Sequence, residues 1–142
     1  MSVNSIFGNT IELLGKTMDL RIKNHNRIAA NLANAETPGY TPTALSFQDE
    51  LKEAVKGRTV PNATSTTTNP RHIPLRHMHN DIEDVQGRIV ETPSRTAGKD
   101  GNSVELENEM GRMAENQVLY NASVQLLNKK FEVLKYAIKG GN

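Results

Sequence analysis

Apolar residues recur at alternating steps of four and three near both ends of this chain. In the last third, Leu106, Met110, Met113, Gln117, Tyr120, Val124, Leu127, Phe131, Leu134 and Ile138 keep that spacing, and only Gln117 is polar. Steps of this kind hold one face of an α-helix against a partner, which predicts a long C-terminal helix with a coiled-coil seam. Near the start, Phe7, Ile11, Leu14, Met18, Arg21, His25, Ile28, Leu32 and Ala35 repeat the pattern. Arg21 and His25 interrupt this second stripe. Either they lay their stems along its edge, or they form a polar pair that fixes register against a partner. Gly8 and Gly15 each weaken the helix by roughly 1 kcal/mol relative to Ala. Such a helix is expected to need a docking surface.

The N-terminal helix is predicted to end at a corner. Residues 26–40 read NRIAANLANAETPGY. The first half is helical in pattern, whereas Pro38 lacks a backbone donor and biases Thr37 towards extended geometry. Gly39 then permits a turn that other residues resist. Asn31, Asn34, Thr37, Pro38, Gly39 and Tyr40 make up this corner, which serves either as a stop signal or as a recognition loop.

Beyond the corner, Phe47, Leu51 and Val55 predict a short helix over 47–56, opened by a capping-box-like Ser46-Phe47-Gln48-Asp49 and closed by Gly57. Residues 57–101 change character. Thr64-Ser65-Thr66-Thr67-Thr68 is low in complexity, and Pro61, Pro70, Pro74 and Pro93 break any helix. A short β-hairpin or strand pair is expected around 84–92. Asn102 is expected to cap the last helix with Glu105 at its third position, and Glu105, Glu107 and Glu109 suit the positive end of the helix dipole. Lys129, Lys130, Lys135 and Lys139 suit the negative end, and Gly140-Gly141 stops the helix.

The resulting expectation is a mainly α fold. Helices over 1–36 and 102–139 pair as one coiled-coil domain, and 37–101 form a corner, a short helix and a loop-rich insert. Leu13, Leu20, Ile22, Val118, Leu119 and Leu126 lie off the seams. They provide a second face for neighbouring copies, so full order of the terminal helices is expected only in an assembly. Asn116 and Asn121 flank the Gln117 and Tyr120 positions and are the asparagines best placed for contacts between helices.

Composition narrows the chemistry. Of 142 residues, 36% are hydrophobic and 4% aromatic, a thin supply for a dense core. The net charge of +1 gives no electrostatic case for nucleic acid. No stretch approaches the roughly 18 apolar residues of a membrane span. Asn4, Asn9, Glu12, Lys16 and Asp19 in the first 20 residues argue against a secretory signal peptide. Cys is absent, which excludes disulfides and thiolate zinc sites. His72, His77 and His79 have a spacing that a metal could use, but solvated histidine suits so polar a loop better, and no metal, cofactor or catalytic site is expected. No nucleophile elbow or Gly-rich phosphate loop is present, so an enzyme is not expected.

ANLANAETPGY, at 30–40, resembles the conserved corner of the flagellar rod and hook proteins, a helix followed by an A-N-x-x-T-P-G-Y type turn. The segment 100–138, with its AENQ-x-x-YN core and LLNKKF-x-x-LK-x-AI ending, resembles the C-terminal helix of the proximal rod members of that group, as does PRHIP at 70–74. Larger relatives carry a β-rich domain between the helices, for which this chain has no room. The resemblance implies a D0-like inner layer of paired terminal helices. It also implies export by the flagellar type III apparatus without a cleaved signal peptide, and assembly into the periplasmic rod of the basal body. The partners it implies are other copies of the chain, the rod proteins FlgC, FlgF and FlgG, the adaptor FliE and the export gate. A soluble cytoplasmic coiled-coil adaptor or export chaperone is the rival reading.

Overall fold

The computed structural model describes residues 3–59, 81–94 and 100–140, with side chains from residue 8 and, in the first of these segments, up to residue 56. The order of elements is α1 (Val3–Ala33), β1 (Thr43–Ser46), α2 (Gln48–Thr59), a 3₁₀ turn (Ile82–Asp84), β2 (Arg88–Glu91) and α3 (Leu106–Ile138). The long terminal helices pack together, as expected. Asn31 meets Glu109 and Asn24 meets Asn116, so the pairing is antiparallel.

A small core lies on the other side of α1. Leu20, Leu45, Phe47, Ala54, Ile82 and Val85 form it, with Leu13 and Leu51 packed against it. Leu13 and Leu20 are seven residues apart on α1 and therefore share a face. The 3₁₀ turn is held in place by Asp81, whose side chain accepts from the Ile82 N–H, and by Lys16, whose ammonium donates to the Glu83 carbonyl at 2.6 Å. Helix α1 is thus a shared wall between the core and α3.

Three local expectations change. The strand expected within 84–92 exists as β2, but it pairs antiparallel with the distant β1, Thr43 opposite Glu91 and Ser46 opposite Arg88, and makes no local hairpin. The short helix starts at Gln48 and runs through Gly57 to Thr59, because Phe47 is drawn into the core and its carbonyl accepts the first helical bond, from Leu51. Finally, α3 begins at Leu106, with Glu105 at the cap position and no side-chain capping bond; Asn102 does other work.

The candidate functional site: the corner and the faces of the last helix

The corner is built around Asn31, which is fully buried. Its amide donates to the Thr43 carbonyl and to Glu109 Oε2, both at 2.8 Å. Its Oδ1 accepts from the Thr43 N–H at 3.0 Å and from the Tyr40 hydroxyl at 3.2 Å. One side chain therefore joins α1, β1, α3 and the corner tyrosine. One heptad earlier, Asn24 repeats the junction. Its Oδ1 accepts from the Leu45 N–H, and its amide donates to Asn116 Oδ1. The outer edge of β1 would otherwise present bare N–H groups; here asparagines of α1 satisfy them at every second residue.

Asn102 closes the C-terminus of α1. Its amide points at the carbonyls of Asn34, Ala35 and Thr37, at 3.0, 2.9 and 2.7 Å, in the turn that follows α1; the Asn34 and Thr37 carbonyls also accept from the Thr37 and Tyr40 N–H groups. Asn34 donates to the Ala30 carbonyl and accepts from Thr37 Oγ1. Gly39 has φ +70, in the left-handed region, and its N–H donates to the Asp100 carbonyl at 3.1 Å. Pro38 is exposed beside it. Thr37, Gly39 and Tyr40 are thus the groups by which the chain leaving α1 is stitched to the chain entering α3.

Glu109 is 3% exposed and was expected only to complement the helix dipole. Instead it spans two elements, accepting from Asn31 on one oxygen and from Arg112 at 2.8 Å on the other. Arg112 also donates to Thr92 Oγ1. Asn116 is buried and donates to the Arg21 carbonyl, whereas Asn121 accepts from Gln117 of its own helix. Arg21 is half-buried, with its guanidinium 5.8 Å from the Phe47 ring centre and its Nε buried without a hydrogen-bond partner. Burial lowers its pKa, and the charge of Glu115 works in the opposite direction. His25 is half-buried beside Tyr120 in a cavity of about 110 Å³. The polar pairs between the helices are therefore made by Asn24 and Asn31, with Asn116 and Glu109; Arg21 contributes only its carbonyl.

The predicted seam divides between two faces. On α1, Ile28 is buried and Ile11, Leu14, Met18 and Leu32 are half-buried, while the side chain of Phe7 lies outside the described residues. On α3, Met113, Tyr120, Val124, Leu127 and Leu134 are half-buried. Leu106, Met110, Phe131 and Ile138, at 50% exposure or more, turn outward. Beside Met110, Gln117 and Val124 of the expected stripe it is Glu109, Asn116 and Ser123 that are buried, spaced by seven. The helix is rotated by about one residue because the amides and the carboxylate find partners on α1. Among the described residues no group of His, Asp or Glu could hold a metal, and no helix is long and apolar enough to cross a membrane. His72, His77 and His79 lie outside the described residues.

Three curated relatives match nearly the whole length of this chain. It is 31% identical over 129 residues to the flagellar basal body rod protein FlgB of Salmonella typhimurium, covering 89% of this chain and 91% of that protein. The FlgB of Proteus mirabilis (strain HI4320) is 33% identical over 135 residues, with 94% and 96% covered. The FlgB of Bacillus subtilis is 30% identical over 139 residues, with 96% and 98% covered. The chain belongs to the FlgB family of flagellar basal body rod proteins. No protein-family model matches it. Membership of the FlgB family agrees with the resemblance carried by the corner and the last helix. The residues that sequence reasoning missed in this FlgB-family chain, Asn24 and Glu109 as junctions and Asn102 as a plug, had one signal. Asn24 and Asn31, like Glu109 and Asn116, are seven apart.

Proposed function

We propose that this chain is a structural subunit of the proximal rod, exported by the flagellar type III apparatus and built into the periplasmic rod through its terminal helices. Its role is mechanical, linking the export apparatus to the outer structures and carrying torque. The supporting observation is the surface of α3. Of the twelve large apolar side chains that are exposed among the described residues, nine lie on this helix, which is far more than an isolated helix pair in water requires. Neighbouring subunits cover them. Those neighbours are other copies of the chain and the rod proteins FlgC, FlgF and FlgG, with FliE and the export gate at the base. The corner residues Asn31, Asn34, Thr37, Gly39 and Tyr40 set the angle at which the insert leaves the helix pair.

The test is fractionation. A tagged chain should copurify with detergent-extracted basal bodies, and a strain lacking the gene should build no rods and fail to swim. Recovery only as a soluble cytoplasmic complex would sink this reading.

A further inference from the structure

Helix α3 is charged only at its ends. Glu107, Glu109, Arg112 and Glu115 lie in its first third and Lys129, Lys130, Glu132 and Lys135 in its last, while 116–128 carry no charge at all. Within this division, two exposed patches stand out. The first joins Glu107 to Leu106 and Met110, which are 52% and 59% exposed. The second joins Lys129 to Leu126 and Val133, which are 56% and 51% exposed. The side chain of neither Glu107 nor Lys129 has a hydrogen bond or ion pair among the described residues. In the heptad frame set by the inward line of Glu109, Asn116 and Ser123, the two patches fall on opposite flanks of α3. Helix α1 covers neither flank.

We infer that the acidic patch of one copy seats on the basic patch of a second copy, in the same orientation and staggered along the helix axis. This rests on the rod-subunit reading and names the surfaces that such assembly uses. Opposite charges meet at the centre of two apolar patches of similar size, Glu107 against Lys129, with Leu106 and Met110 against Leu126 and Val133. Unstaggered parallel helices would place acid beside acid and base beside base. The stagger is fixed by the spacing of Glu107 and Lys129, about 33 Å at ~1.5 Å per residue. Because the patches lie on different flanks, one copy uses both at once. The contact is therefore heterologous and propagates as an open chain rather than closing as a dimer.

The chain has no cysteine, which makes the test clean. Glu107→Cys and Lys129→Cys are introduced together and the protein is oxidised in isolated basal bodies. Within one copy the two positions are about 33 Å apart, so a disulfide between them must join two copies. Cross-linked species longer than a dimer are expected from the double variant, and dimers only from a mixture of the two single variants. Incorporation of the double variant without cross-links, or cross-links only to a different protein, overturns the inference. As a second arm, Lys129→Glu alone should lower incorporation several-fold, and adding Glu107→Lys should restore it; loss without rescue, or no loss, also overturns it. Absence of the wild-type chain from basal bodies refutes the rod reading separately. The contact is then scored by the same cross-link on concentrated purified protein, where its absence refutes the inference.

Discussion

Replacing Asn31 by Ala removes one fully buried side chain and four hydrogen bonds. It leaves the Thr43 N–H and carbonyl, the Tyr40 hydroxyl and Glu109 Oε2 without that partner. Thr43 and Tyr40 are half-buried, so water recovers part of their loss. Glu109 is 3% exposed and keeps only Arg112. A buried group left unpaired costs about 1–3 kcal/mol, with charged acceptors at the upper end. Counting Glu109 in full and the partly wetted groups at the low end gives about 3–5 kcal/mol. That is a large share of the 5–15 kcal/mol typical of a folded domain. The measurement is urea unfolding followed by helical circular dichroism, read as a lower midpoint at unchanged slope. A cycle with Glu109→Ala should return a coupling of about 1–3 kcal/mol, as expected for side chains in direct contact. An Asn31→Ala loss below about 1 kcal/mol, or a coupling near zero, would falsify the junction and reduce Asn31 to an ordinary residue of the last helical turn.

Four further outcomes are expected. Gly39→Val should cost roughly 1–3 kcal/mol through its φ of +70 alone, since nothing lies within 4 Å of an added Cβ; normal stability and motility in that variant would show the corner tolerates a different backbone. Asn102→Ala should destabilise by about 1–2 kcal/mol, because the Ala35 carbonyl loses its donor while the Asn34 and Thr37 carbonyls keep a backbone N–H, and an unchanged unfolding midpoint would refute its role as a plug. Phe131→Asp, at a half-exposed position, should change the stability of the free chain by no more than about 0.5 kcal/mol while blocking rod assembly; Leu127→Asp, half-buried, should impair both, and equal behaviour of the pair would contradict the division of the α3 stripe. In dilute solution, amide exchange should be slow near Asn31 and Asn102 and fast towards the opposite end of the helix pair; slow exchange along both helices at low concentration would end the idea that assembly completes their order.

The sequence by itself determined the long helices and the corner, because these depend on local chemistry. Alternating steps of four and three set a stripe along each helix, and Pro38 with Gly39 ends one helix whatever lies nearby. Only the tertiary structure decided how the helices are turned. An apolar count favours Met110 and Phe131 over Glu109 and Asn116 as inward residues. Burial of Glu109 and Asn116 becomes favourable only once Asn24, Asn31 and Arg112 supply partners, and two of these come from about 80 to 90 residues away in the chain. The pairing of β2 with β1 rather than with its own neighbours was hidden for the same reason. Its register follows from placing Leu45 and Phe47 in the core, where Leu20, Ile82 and Val85 meet them. Asn102 showed a helix-capping pattern locally, but the carbonyls of the turn after α1 draw its amide, and they come within reach only after the chain has turned back on itself.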